Sequence, residues 1–498
     1  MSALDDSLGQ RRLLSPGVLF GGVYAIAFLT SKYLGLGAGY AIDDYHLVSQ
    51  GNSGKFTSFF LSQGRYTNAL LDWMLSASNL NMSNFSVVCL IATVIFSALF
   101  YTRSLRPIEI QGRFVLIGAA ALLGAHSYYT EYVTFRQSAL PMSVMFASMW
   151  MSIDFYRKAL QSPNIGRNLA IALAFGLIAM GANQLAVCFL SIAVLYVHAS
   201  NSTLTINGSD TGSGIRELIL ATLAAALAGV VLLGGNLLLS SLARLALGVS
   251  ADGRAGILPL SELQVRLDQL AALARILIFK DEPVASGFAK ITALMGLFLL
   301  LVPRNISQIR PLLGALYLLA ISFCIVLVPV AASTVWWPTP RTLIAFPFAL
   351  AAISLIAARV NQGRNNLPAG GLLLLSAFLF SAHSNSMLLN QQRLNRWDMA
   401  QAQEIAFRIA ERYPDHGTKI AVVGASWHHP LAPGIAQGDM NTSALSIGWA
   451  VDALFDETTG SPLDVRSAPE LAARCEGRLS FPAPDSTQMI DGEVLVCL

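Results

Sequence analysis

Apolar positions in this chain fall in long unbroken runs, unlike the short alternations and three-and-four spacings of a water-soluble fold. About eleven runs are long enough to cross a bilayer as helices, at roughly 15–37, 85–102, 113–129, 138–156, 167–182, 184–199, 216–241, 287–303, 311–332, 342–359 and 368–387. A chain patterned this way is expected to be an all-α polytopic membrane protein, because only closed backbone hydrogen bonding survives in lipid. The stretches between runs alternate in character. One set carries Arg11/Arg12, Arg103/Arg106/Arg113, Arg157/Lys158/Arg167, Arg216, Arg304/Arg310 and Arg359/Arg364, and basic loops belong in the cytoplasm. The opposite set includes the turn GANQ (181–184), which has no basic residue. The N-terminus is then expected inside, and the C-terminal region on the outer, periplasmic side. Arg11 and Arg12 precede the first run and no clean small-residue cleavage site follows it, so that run is expected to stay as a helix and not to be removed as a signal peptide.

Three outer segments are too long or too patterned to be plain connectors. In the first, about 38–84, FTSFFLSQGRYTNALLDWML (56–75) puts Phe56, Phe59, Phe60, Leu70, Leu71 and Met74 on one helical stripe. Arg65, Asn68 and Asp72 share another face, which predicts a single helix lying in the interface with its apolar side down. The second, about 242–286, holds SELQVRLDQLAALARILIFK (261–280), with a stripe of Leu263, Leu267, Leu270 and Leu277 and a Glu262–Arg266 pair at i,i+4. The third is the tail. Its helical period over 395–413, the buried-strand run TKIAVVGA (418–425) and a second strand EVLVCL (493–498) predict a small α/β layer. The domain division expected is therefore 1–387 in the membrane, with outer loops 38–84 and 242–286, and 388–498 as a periplasmic domain. NSTLTINGSDTGSG (201–214) reads as a flexible cytoplasmic linker, and no internal repeat is seen.

Composition sharpens this picture. The 498 residues are 54% hydrophobic and 12% charged, with a mean hydropathy of +0.57; a soluble protein carries about 25% charged residues. A net charge of +3 is too small to imply a nucleic-acid partner. Cys89, Cys188 and Cys324 lie inside apolar runs, where cysteine acts as a small hydrophobe. Cys475 and Cys497, in the outer tail, are expected as either a disulfide or two free thiols. No CxxC-type metal spacing occurs, His428 and His429 lack a recognisable third ligand, and no Gly-rich nucleotide loop is seen, so neither metal nor cofactor is expected.

Candidate chemistry gathers in the outer loops. GYAIDDYHLVSQG (39–51) sets Asp43 and Asp44 where the chain leaves the bilayer. In one reading Asp44 caps a short helix closed by Gly51 and Asp43 is solvated. In the other, one carboxylate is a general base, since neighbouring carboxylates raise each other's pKa and a hydroxyl acceptor needs a base within reach. Arg65 in SQGRYTN, Arg136 in SYYTEYVTFRQSALP (127–141) and Arg341 in STVWWPTPRTLIAF (333–346) are candidate phosphate ligands, for which the guanidinium fork is suited. Arg136 otherwise reads as a snorkelling interfacial arginine, and Arg254 is a weaker candidate. His46, Tyr66, Asp72, Glu131, Trp336 and Trp337 are candidate substrate contacts; the two tryptophans equally suit an aromatic belt. Asn183 and Gln184 read as satisfying a tight interhelical turn.

This constellation resembles the bacterial O-antigen-modifying glucosyltransferases (Gtr type II) of the C-type glycosyltransferase (GT-C) superfamily. The likeness is carried by Asp43-Asp44 after the first helix, Gly51, Gly64-Arg65 before a leucine-rich continuation, and NQQRLNRWDMAQAQEIAFRIAERYPDHGTKIAVVGA after the last span. The chain departs from the family where Tyr45-His46-Leu47 follows the acidic pair in place of a basic residue; unless His46 substitutes, the sugar differs from glucose. The resemblance implies a metal-independent, inverting transfer of a sugar, glucose in the first instance, from a polyprenyl-phosphate donor to a hydroxyl of a lipid-linked or surface glycan. Asp44 (or Asp43) would be the base, and Arg65, Arg136 and Arg341 would hold the departing phosphate. Alternatives are the same chemistry on a protein acceptor such as pilin, a lipid-linked sugar flippase, or a glycan polymerase. Transport is disfavoured by charges that sit at span ends and not at the midplane.

Overall fold

The structure is a computed structural model describing residues 15–37, 40–49, 55–80, 82–105, 113–201, 211–253, 256, 258–280, 286–303, 306–361, 365–414, 419–424, 442–460 and 463–498. Its helices run in chain order as α1 (Pro16–Lys32), α2 (Ile42–Ser49), α3 (Lys55–Ser62), α4 (Tyr66–Ser76), α5 (Ser86–Leu105), α6 (Arg113–Ala125), α7 (Tyr128–Thr134) and α8 (Ala139–Gln161). There follow α9 (Ile165–Ala182), α10 (Ala186–Asn201), α11 (Thr211–Leu247), α12 (Leu263–Phe279), α13 (Gly287–Leu301), α14 (Ile306–Ala332), α15 (Phe346–Asn361) and α16 (Asn366–Arg412). The C-terminal unit adds β1 (Lys419–Val423), α17 (Val451–Thr459), β2 (Val465–Ser467), β3 (Thr487–Ile490) and β4 (Glu493–Cys497).

Every apolar run read from the sequence holds a helix. Seven of them (α1, α5, α9, α11, α14, α15 and α16) are long and apolar enough to cross a membrane, while α6, α10 and α13 are shorter apolar helices. The molecule is thus a helical membrane protein with a small C-terminal sheet. Large apolar side chains face outward along α11, with Leu223, Leu227 and Val230 more than half exposed. Such a surface would be prohibitive in water and is ordinary against lipid.

Lipid tails are as apolar as leucine, so the bundle is held by close packing and hydrogen bonds more than by expulsion of water. Phe100, Phe146, Phe189 and Phe348 form one aromatic cluster, with Phe100 and Phe348 centroids 5.6 Å apart. α6 crosses α16 so closely that a Cβ on Gly118 would sit 2.8 Å from the Gly370 carbonyl, a contact only glycine permits. Tyr24 and Ser97 bond across α1 and α5 (2.8 Å), and Ser376 donates from α16 to Ala289 of α13 (2.7 Å).

These contacts also fix which loops lie together. Lys32, ending α1, donates to the Gly124 carbonyl near the end of α6 (3.0 Å), and Ser384 of α16 donates to Ala125 (3.5 Å). The dyad segment, the α6–α8 connection and the tail therefore share one end of the bundle. Arg103 and Lys158 both bind Asp154 (2.7 and 2.8 Å), and Arg157 donates to the Arg103 carbonyl, at the opposite end.

Two expectations for the outer segments change. The single helix over 56–75 is broken into α3 and α4 at Gly64, whose φ of +75° turns the chain in the left-handed region. Phe56 and Phe60 are buried, while α4 turns its polar side inward (Asn68, Asp72) and its apolar side outward (Leu70, Trp73, Met74). The 387/388 boundary falls inside α16, which continues unbroken from the last apolar run into the tail.

The tail is an α/β layer with strand order β2-β1-β4-β3, parallel except for the β3–β4 pair. Cys475 and Cys497 are joined in a disulfide, closing a separation of 22 residues. Its core is shared. Ile42 and Tyr45 of α2 pack with Ile405 and Ile409 of α16 and with Leu454 and Phe455 of α17.

Candidate functional site

The chain leaves α1, passes through a 3-10 turn at Tyr33–Gly37 and re-enters helix at Ile42. Asp44, in the first turn of α2, accepts from the Ala41 N–H (3.0 Å), the return bond of a capping box. Its carboxylate also accepts from the N–H groups of Arg136 (3.1 Å) and Gln137 (3.1 Å), which open a second 3-10 turn at Arg136–Ser138. Asp44 is fully buried, and burial pushes its carboxyl up to about 7 against the pull of these three donors. Both oxygens accept from backbone, so Asp44, one of the two expected bases, ties α2 to the Arg136 turn. Asp43, beside it, is half-buried and is the member of the dyad that reaches the surface.

Arg136 stacks its guanidinium over the Tyr40 ring at 4.7 Å, and Asn395 of α16 holds the Tyr40 carbonyl (2.8 Å). The same arginine lines a mainly apolar cleft with Phe28, Leu90, Tyr129, Tyr132 and Met142, in the angle between α1, α5 and α8. A cation at the edge of an apolar cleft suits an amphiphile with an anionic head.

Arg341 approaches from the far side of α7. Its Nε lies 3.3 Å from Oε1 of the fully buried Glu131, and its own N–H donates to Oε2 (2.9 Å). Phe135 and Trp337 flank the guanidinium at 4.6 and 5.0 Å. Pro340 opens the 3-10 turn that carries it, with φ pre-set for the turn. Glu131, expected to contact substrate, thus acts on Arg341. Between these groups stands Tyr132, whose hydroxyl accepts from Asn183 Nδ2 (2.9 Å). Burial raises its phenol, while the Asn183 bond and the guanidinium charges of Arg341 and Arg65 draw it back. Arg65, at the N-cap of α4, is half-buried, its backbone carried by the Gly64 turn through the bond from its N–H to the Phe60 carbonyl (2.8 Å).

Arg341 thus binds α7 directly, Arg136 follows it in the turn that Asp44 holds, and the charge of Arg65 reaches Tyr132. Other candidates are engaged elsewhere. Tyr66 donates to the Leu177 carbonyl (2.5 Å), latching α4 onto α9, and burial pushes its phenol up to about 12. Asp72 accepts from Thr57 (2.8 Å), fastening α3 to α4, and burial raises its carboxyl. Trp336 packs against Arg266 at 4.9 Å; that arginine, expected to pair with Glu262, donates to the Ser333 carbonyl (2.8 Å). The His46 side chain, Arg254, His428 and His429 lie outside the described residues. Tyr132 and Asn183 were not read as functional; a polar Asn at the outer tip of an apolar helix was the available signal. Among the described residues no three His, Cys, Asp or Glu side chains converge as a metal site requires. Comparison of the chain with protein-family models, with curated proteins and with solved structures returned no match.

Proposed function

We propose that the chain is an inverting, metal-independent glycosyltransferase of the C-type superfamily, akin to the O-antigen-modifying glucosyltransferases. It would move a sugar, glucose first among those to test, from a polyprenyl-phosphate donor to a hydroxyl of a lipid-linked or surface glycan. The observation that carries the reading is the meeting of the dyad helix with Arg136 at an apolar cleft, with Arg65 and Arg341 gathered around the adjoining α7. In this reading the isoprenoid lies along the cleft and its phosphate meets the guanidinium groups, which act on charge that grows as the bond to the sugar breaks. Asp43 takes the proton of the acceptor hydroxyl as its oxygen attacks the anomeric carbon from the face opposite the phosphate. Asp44 keeps the base and Arg136 in fixed relation.

We read about eleven helices as crossing the bacterial inner membrane, with the N-terminus cytoplasmic and the dyad, the cleft and the C-terminal domain periplasmic. Two features support that orientation: the Arg103–Asp154–Lys158 cluster lies at the end away from the dyad, and the Cys475–Cys497 disulfide suits an oxidising compartment. The test is direct. Purified protein supplied with a panel of polyprenyl-phosphate sugars and an O-antigen or other lipid-linked glycan acceptor should release polyprenyl phosphate and lengthen the acceptor. Silence with every donor, from protein that binds polyprenyl phosphate, would replace transfer with transport.

A further inference from the structure

Tyr132 is held in a way that a wall residue of an apolar cleft does not need. Asn183 Oδ1 accepts from the Leu185 N–H (3.0 Å), which settles which end of the amide faces the phenol. Asn183 Nδ2 then donates to the Tyr132 hydroxyl at 2.9 Å. The phenol accepts from Asn183, so its own hydrogen must point elsewhere. Its acceptor in the structure is the Arg341 carbonyl at 3.4 Å, long for a hydroxyl donor. Tyr132 lines the cleft together with Arg136, and the charges of Arg65 and Arg341 both act on its phenol. A hydroxyl donor that feels two guanidinium charges, on a residue that shares an apolar cleft with a third guanidinium, fits an anion that carries a long hydrocarbon.

We propose that Tyr132 donates its hydrogen to the phosphate of the polyprenyl-phosphate donor, and that Asn183 is the positioning residue that aims it; this rests on the reading of the cleft as the donor site. As the acceptor oxygen bonds to the anomeric carbon, the bond from that carbon to the phosphate oxygen breaks. The electron pair stays on the phosphate, and the acceptor proton goes to Asp43. Tyr132 keeps its hydrogen and shares it with an oxygen whose negative charge grows through the step, so the bond is stronger in the transition state than in the bound donor.

The experiment measures binding of polyprenyl phosphate and of uncharged polyprenol to wild type, Tyr132→Phe and Asn183→Asp in detergent, alongside sugar-transfer kinetics. Tyr132→Phe should weaken polyprenyl phosphate about tenfold, the worth of one hydrogen bond to a charged group, and leave polyprenol unchanged. Its kcat should fall by more than its KM rises. Asn183→Asp retains the Leu185 contact but draws the phenol hydrogen toward its own carboxylate, so its loss should be at least as large. If Tyr132→Phe keeps wild-type affinity for the phosphate, or loses both lipids equally, the assignment of Tyr132 is wrong while the donor reading stands. Wild type that does not distinguish polyprenyl phosphate from polyprenol overturns both. Inorganic phosphate displacing polyprenyl phosphate at comparable concentration would make this a free-phosphate site and overturn the lipid assignment.

Discussion

Replacing Asp43 and Asp44 separately by asparagine should give opposite kinds of damage. Asp44 accepts three backbone N–H groups on two oxygens. A neutral carboxyl can still accept all three, two at its carbonyl and one at its hydroxyl oxygen, whereas an amide nitrogen accepts none. Asp44→Asn therefore loses at least the bond from Gln137 and leaves a buried N–H facing an NH2, at a cost of about 1–3 kcal/mol. The pH dependence has a definite sign. Because burial lifts the Asp44 carboxyl to about 7, the folded protein holds that proton more tightly than the unfolded chain. The stability it contributes is complete below the ordinary carboxylate range near ~4 and drains away as pH rises toward 7. Asparagine does not titrate, so the advantage of wild type over Asp44→Asn should be widest near pH 4 and, because about three pKa units are worth ~4 kcal/mol, vanish or reverse by pH 7. Thermal unfolding in detergent across that range reads it. Asp43→Asn, at a half-buried position, should stay within about 0.5 kcal/mol of wild type and yet abolish sugar transfer. An Asp44→Asn protein that melts with wild type at acid pH, or a wild-type advantage that grows toward neutrality, would refute the bonding argument; Asp43→Asn with normal turnover would remove it as base.

Glu131→Gln keeps an acceptor for the Arg341 N–H but removes the charge beside its guanidinium; because Arg341 is 18% exposed, the cost should fall below the ~3–5 kcal/mol of a fully buried broken pair, at about 2 kcal/mol, read by chemical unfolding. The double variant Cys475→Ser/Cys497→Ser opens a 22-residue separation, which loop-closure entropy values at roughly 3 kcal/mol, and differential scanning calorimetry should show the C-terminal domain alone melting earlier. Gly64→Ala forces a side chain into φ +75° and within 3.1 Å of Gln184 Nε2, so it should cost about 1–2 kcal/mol and, by shifting Arg65, raise the KM for donor. Asp398, buried at the junction of α16 with Ser443 (2.6 Å) and Ala444 (2.8 Å), is also lifted to about 7. Protease nicking near 442–446 should therefore increase as pH rises from about 4 to 7, and Asp398→Asn should flatten that dependence.

The apolar runs were legible because lipid imposes one rule on every backbone group it touches, and that rule leaves its mark on the local sequence. The breaks were harder to read. Gly64 sits inside a stripe that continues correctly on both sides, so the period alone does not reveal the turn. No glycine or proline separates Ser386 from Asn395, and the last apolar run and the tail helix accordingly form one element. β2 and β3, with three and four residues, are too short to carry a pattern. At the site, the residue types were legible and their tasks were not. Asp44 finds two of its partners 92 and 93 positions away, as backbone amides that any residues there would offer. Glu131 and Arg341 read as separate loop charges because 210 residues divide them. Asn183 braces its turn through Leu185, as its place between two apolar runs suggests, but its second bond, to Tyr132, depends on a crossing of α7 that no local pattern reports.

α16 is 47 residues long, about 70 Å at a helical rise of ~1.5 Å per residue, against a hydrocarbon layer of ~30 Å. A mast of that length, stepped in the bundle and rising into the tail sheet, denies the C-terminal domain the swing that a loop tether would give it. The height of the C-terminal domain above the bilayer is then set by the length of a rigid helix and not by the reach of a loose tether. An insertion of one helical turn after Leu394 should move that height by about 5 Å.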